Sequence, residues 1–144
     1  MKNHSCVICR WEDGLDQLNG GKIAETENFF VFHNQTHPAP VLGWLIIAPK
    51  AHILQQTAFS SDVLLELMEL QQKMTAILEK TTRTGRVYWA VFGEEVKHLH
   101  FHLIPRPENL PAEALGWRIF GYKPEDGAGK LEVEGFCDFI REQF

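Results

Sequence analysis

The stretch His98-Leu99-His100-Phe101-His102-Leu103-Ile104, closed by Pro105-Arg106-Pro107, carries three of the chain's seven histidines. Imidazole is the side chain whose ordinary pKa lies nearest neutrality, so it serves as base, acid, nucleophile or metal ligand. Successive side chains of a β-strand point to opposite faces. That puts His98, His100 and His102 on one face and Leu99, Phe101 and Leu103 on the other. Alternate residues lie about 6.8 Å apart along a strand, giving a row of rings about 13–14 Å long. On a helix, residues two apart diverge by about 200° and the row would scatter. The apolar alternates and the short length predict the strand. A merely solvated face more commonly carries Thr, Lys, Glu or Ser, so the row reads as functional. Three alternate histidines could also ligate one catalytic metal, although such sites usually draw ligands from other elements too.

A second group of reactive side chains is Cys6-Val7-Ile8-Cys9. A C-x-x-C pair can ligate zinc, act as a thioredoxin-like redox motif, or be two inert thiols. The redox form wants a preceding strand within a βαβ pattern, and none precedes it here. Zinc needs two further ligands from elsewhere in the chain. The third cysteine, Cys137, falls in an apolar helical pattern and reads as a small buried hydrophobe.

The elements that must position these groups follow from periodicity and turn signals. Asn19-Gly20-Gly21 is a turn. Residues 22–26 and 28–34 read as a hairpin, and 35–40, with two prolines, as a loop. Gly43-Trp44-Leu45-Ile46-Ile47-Ala48 is a nearly continuous apolar run, hence a central strand. Ser60 or Ser61 can cap a helix that Asp62 complements in its first turn. Leu64, Leu67, Leu70 or Met68, Met74, Ile77 and Leu78 recur at helical spacing to about Thr82, with Gly85 ending the helix. Residues 86–92 form a β-rich run, and Gly93-Glu94-Glu95-Val96-Lys97 leads into the histidine strand. Beyond Pro107 the chain turns irregular, with a short helix around 112–115. A final helix over 133–144 sets Phe136, Phe139 and Ile140 on one side. Strands, one long helix, then strands describe an α+β domain on an antiparallel sheet.

Size and composition bound the possibilities. At 144 residues the chain is most simply one domain, with 44% apolar and 23% charged residues, four Trp and ten Phe. That suits a packed globule without disulfide staples. A net charge of −5 disfavours broad binding to nucleic acid or anionic membranes, which call for a basic surface. A small nucleotide site needs only a few donors and stays open. The N-terminal residues lack the apolar centre of a signal peptide, and no apolar run approaches about 18 residues, so a soluble cytoplasmic protein is expected.

With these elements in place, the chain resembles the histidine triad (HIT) family. His98 through Ile104 matches the family's His-φ-His-φ-His-φ-φ signature, and the following Pro105-Arg106 is similar to that of its fragile-histidine-triad group. Gly43 through His52 resembles the family's Gly-His-φ-φ-φ-φ-Pro-Lys-x-His segment. The motif-bearing core spans about residues 6–107, and 108–144 form a C-terminal extension of a single HIT-like domain. The resemblance implies a five-stranded antiparallel sheet with one long helix, joined here by a C-terminal helix, and pairing into a homodimer.

It also implies a nucleotide hydrolase acting on nucleoside phosphoramidates or dinucleoside polyphosphates. His100, the middle histidine, is the nucleophile that forms a covalent nucleotidyl intermediate, its Nδ1–H held by the His98 carbonyl. His102 assists as a cationic or hydrogen-bonding imidazole. A glutamine in that position marks the uridylyltransferase branch, so histidine points to hydrolysis. Asn34 stands near the position of a ribose-binding Asp. Zinc-bearing members imply Cys6, Cys9, His52 and His98 as a structural zinc site, with no organic cofactor. Three departures bear on substrate rather than nucleophile, one of them the tail after Pro107, which is unlike the family's better-known branches. Glu94 and Glu95 replace the Gln and hydroxyl residues that contact phosphate, and Trp44 replaces the histidine expected after Gly43. The alternative implied by the two carboxylates is a HIT-fold nucleotide-binding or interaction protein with little turnover.

Overall fold

The computed structural model describes residues 2–144. A short helix α1 (Val7–Glu12) precedes strands β1 (Ala24–Glu25), β2 (Phe29–His33) and β3 (Leu45–Pro49). Helix α2 (Ser61–Thr82), strands β4 (Val87–Ala90) and β5 (Phe101–Pro105), and helix α3 (Lys130–Gln143) follow. The five strands form one antiparallel sheet in the order β1-β2-β3-β5-β4. This is the α+β architecture expected from the sequence, with β3 central and flanked by β2 and β5.

Each face of the sheet is covered by different elements. Phe29, Val31, Leu45, Ile47, Phe101 and Leu103 pack with Leu67, Leu70, Met74 and Leu78 of α2 and with Val133, Cys137 and Ile140 of α3. Phe30, Phe32, Ile46, Ala48 and Ile104 face the other way, toward Ile8 and Cys9 of α1, Trp44 and Ile119. Double coverage explains why β2 and β3 are apolar runs rather than alternating strands. Burying one Leu or Phe on this scale contributes about 1.5–3 kcal/mol.

Helix α2 begins where expected, with the Ser60 hydroxyl accepting the Val63 amide at 3.3 Å and Asp62 in the first turn. Its buried stripe is narrower than the periodicity suggests, because Leu64 and Met68 are exposed. Its end also differs. Arg83, at φ +54°, takes the left-handed cap position, so Gly85 lies beyond the helix.

Strand β5 is shorter at its start than the histidine alternation implies. Its last ladder partner toward β3 is the pair Ile47–Phe101, and the next inward-running residues of β3 end at Pro49, which has no amide to donate. The alternation nonetheless holds through 98–103. Leu99, Phe101 and Leu103 join the helix-side core, while His98, His100 and His102 stay off it.

Helix α3 begins at Lys130, three residues earlier than the sequence suggests. It buries Val133, Cys137 and Ile140, while Phe139 is half exposed and Phe136 only partly covered. The four- and three-residue steps from 133 to 140 define one face, and Phe139 falls outside it. Cys137 is fully buried, as expected. A Cβ at Gly20 would lie 2.5 Å from Cys137 Sγ, and Gly20 sits at φ +86°. Glycine there serves both the turn and the docking of α3.

Candidate functional site

Helix α1, not foreseen from the sequence, turns the C-x-x-C spacing into geometry. Cys6 caps the helix and Cys9 lies one turn on, so both sulfurs fall on one side. The chain after β3 brings His52 beside them. The Leu99 amide, bonded to the Ile53 carbonyl at 2.8 Å, brings His98 to the same point. Ligand atoms of Cys6, Cys9, His52 and His98 all lie within 4.8 Å of one another. Cys6 Sγ is 3.5 Å from His98 Nδ1, and Cys9 Sγ is 3.4 Å from both His52 Nδ1 and His98 Nδ1. A tetrahedral zinc with ordinary Zn–S and Zn–N lengths sets sulfur and nitrogen about 3.5 Å apart. His98 Nε2–H donates to the Pro49 carbonyl at 2.8 Å, which leaves Nδ1 as its ligand atom. The four residues are close enough to bind a metal ion, and their donor set suits it.

One step along the chain from this cluster, the remaining imidazoles face different partners. His100 Nδ1–H donates to the His98 carbonyl at 2.7 Å, which leaves the Nε2 lone pair free. The His102 ring packs against it, centroids 5.1 Å apart. His102 is paired in register with Ile46 of β3 and Ala90 of β4. Its Nδ1 accepts the indole N–H of Trp44 at 2.9 Å. Burial, with a smaller contribution from His100, pushes His102 down to about 4. Burial therefore disfavours the cationic form of this ring at neutral pH. The three histidines do not converge on one metal: His98 turns to the cysteines, His100 to a carbonyl and His102 to Trp44. This corrects the shared-metal reading of the row.

His100 and His102 open onto a cavity of about 830 Å³ that Asn34, Glu94 and Glu95 also line. The sequence-derived nucleotide-binding residues are thus gathered around one space. The Asn34 amide is fixed by the Trp44 carbonyl at 2.8 Å, and its side chain accepts the Thr36 amide. Glu94 and Glu95 are exposed at the rim.

Part of the wall went unrecognised in the sequence. Trp117, Phe120, Tyr122 and Lys123 come from the C-terminal extension, and Phe92 from the end of the β4 run. Phe120 lies edge-on to His102 at 4.9 Å, to Trp44 at 5.2 Å and to Phe92 at 4.9 Å. The cluster of aromatics in Gly116-Trp117-Arg118-Ile119-Phe120-Gly121-Tyr122 was the available signal. What it lacked was any local indication that this 3₁₀ segment, Gly116–Gly121, folds back over β5.

Deeper in, His33 Nδ1–H donates to the Asn34 carbonyl at 3.0 Å while Nε2 accepts the Gly43 amide at 2.9 Å. Burial pushes this ring down to about 4. It pins the turn at Gly43, which sits at φ +93° and delivers Trp44.

A family profile described as HIT domain matches residues 16–109. Adenosine 5'-monophosphoramidase hnt1 of Schizosaccharomyces pombe is 25% identical over 123 residues, covering 85% of this chain and 90% of the relative. The corresponding Candida albicans enzyme, HNT1, is 27% identical over 127 residues, 81% of each chain. Among solved structures, a zinc-bound histidine triad family protein from Mycobacterium smegmatis superposes with a TM-score of 0.72 at 18% identity. It covers 97% of this chain and 93% of that one. A HIT-like protein from Bartonella henselae gives a TM-score of 0.76 at 17% identity, over 99% and 98% of the two chains.

Proposed function

Since this chain belongs to the HIT domain family, we propose that it is a nucleotide hydrolase that cleaves nucleoside phosphoramidates or dinucleoside polyphosphates through a nucleotidyl intermediate on His100. The observation that carries this reading is the 2.7 Å bond from His100 Nδ1–H to the His98 carbonyl. It commits the lone pair to Nε2, on the ring that lines the cavity. Attack by Nε2 forms a P–N bond as the bond to the leaving group breaks. The resulting cationic imidazolium keeps its Nδ1–H on the same carbonyl. A leaving amine takes up one proton. Water then attacks phosphorus, releases one proton and returns His100 to its starting form, so the cycle balances.

Asn34 is assigned to the nucleoside, where an amide can both donate and accept. Glu94 and Glu95 are assigned to the leaving-group side of the rim, away from the transferred phosphate, because two carboxylates beside it would repel it. Those two carboxylates are also the observation that favours the second reading, nucleotide binding with little turnover.

The Cys6, Cys9, His52 and His98 set is assigned to a structural zinc, supported by the fit of the sulfur–nitrogen spacings. When bound, the metal would hold α1, the chain after β3 and the start of the histidine segment together. A reducing compartment, the cytoplasm, is the setting in which such thiols stay available. The whole chain is taken as one domain, since α3 buries Val133, Cys137 and Ile140 in the core shared with β2 and α2.

Incubation with a nucleoside phosphoramidate, quenching and mass spectrometry test the chemistry. The expected result is one nucleotidyl mass on the peptide bearing His100. His100→Ala should keep the fold and lose turnover by roughly 10⁴-fold or more. Binding without adduct and without turnover would establish the second reading instead, and turnover retained in His100→Ala would refute the mechanism.

A further inference from the structure

The two imidazoles that line the cavity are held as opposite tautomers, and this chain uses a tryptophan to do it. Indole N–H is a donor only. Its 2.9 Å bond to His102 Nδ1 therefore requires that nitrogen to be bare and puts the ring hydrogen on Nε2. His100 is the mirror case, with its hydrogen on Nδ1 facing the His98 carbonyl. Side by side at 5.1 Å, one ring presents a lone pair and the other an N–H.

The indole is not free to swing away. Trp44 is 3% exposed, Phe120 stands edge-on to it at 5.2 Å, and the preceding Gly43 amide is bonded to His33 Nε2. Among the described residues His102 Nε2 has no hydrogen-bond partner. Among the described residues the one buried side-chain nitrogen or oxygen without a partner is His37 Nδ1. His102 Nε2 thus reaches open space, and the ring lines the cavity shared with His100.

We propose that Trp44 is a positioning residue that locks His102 as the Nε2–H tautomer, so that His102 donates a hydrogen bond to an oxygen on the phosphorus attacked by His100. The inference rests on the hydrolase reading and adds the direction of the His102 bond and the residue that sets it. An N–H held in place before the reaction stabilises charge that grows on that oxygen without reorganisation. Proton capture at Nδ1 would set two N–H groups against each other, so His102 works by donating from Nε2 and not by accepting a proton at Nδ1.

Two measurements test this on the full chain. Nitrogen-15 NMR of the wild-type protein should show His102 with hydrogen on Nε2 and a bare, hydrogen-bonded Nδ1. Hydrogen on Nδ1 instead would overturn the proposal, whatever substrates the protein accepts. Trp44→Phe removes the donor and keeps an aromatic filler. With a nucleoside phosphoramidate, kcat should fall about tenfold while KM stays within about twofold, and the His102 Nδ1 resonance should move. An unchanged kcat in folded Trp44→Phe, or a rise in KM alone, would overturn it. If that variant fails to fold, the wild-type NMR result decides. Lack of turnover by the wild-type protein would sink the hydrolase reading while leaving the tautomer assignment to the NMR.

Discussion

His33 is a buried residue whose bonding ties the stability of the fold to pH. Both of its nitrogens are engaged, Nδ1–H with the Asn34 carbonyl and Nε2 with the Gly43 amide. Adding a proton at Nε2 would face it with another N–H. Burial holds the ring down to about 4, below the ordinary value near 6.5. Between those limits the unfolded chain binds the extra proton, so stability rises with pH. It is complete above about pH 6.5 and is lost as pH falls toward 4, by at most about 1.4 kcal/mol per unit. Urea melts from pH 7.5 to 4 should show this slope, and His33→Gln should flatten it by about one proton. An identical slope in the variant would dispose of the assignment. At this scale the sequence was most legible where spacing alone carries meaning, as in the alternating histidines. His33 and Trp44 were not legible as a pair, because their link runs through a bond from Gly43, ten residues from His33.

Helix α1 shows what short elements hide. Its six residues are too few for a periodic pattern, so the C-x-x-C spacing was readable and the helix beneath it was not. The partners of the pair came from the family resemblance, and the fold brings them together. Zinc there would fasten α1 to the histidine segment, whose His98 carbonyl orients His100. Elemental analysis should find about one zinc per chain. Chelation should lower the melting temperature by roughly 10 °C, the scale of losing about 4 kcal/mol of linked binding energy. It should also slow turnover without changing which substrates are taken. No metal after reconstitution, or no shift on chelation, would remove the clamp. Longer elements were legible to within a few residues. Their errors have local causes, such as Arg83 taking the left-handed cap and Phe139 falling outside the face of α3 that Val133, Cys137 and Ile140 bury.

At the scale of the whole molecule, β4 lies at the sheet edge. Trp89 on it and Leu64, Leu65 and Met68 on α2 are exposed. The prediction that goes with these surfaces is pairing with a second copy through helix and edge strand, as the resemblance implies. Sedimentation at micromolar concentration should give twice the chain mass, and Leu65→Glu with Met68→Glu should give monomer. A wild-type monomer at those concentrations would refute the pairing. Among the described residues, no helix is long and apolar enough to cross a membrane. Fold class was legible because strand and helix periodicities differ, whereas the order of the strands and the return of residues 116–123 over the cavity depend on contacts with no sequence period. Phe120 lies past residue 109, where the family profile stops, yet it roofs both His102 and Trp44. The space beside His100 is therefore walled in part by a segment that lies beyond the span the family profile matches. Substitutions at Trp117 or Lys123 would reshape that wall while leaving the bond from His100 to the His98 carbonyl in place.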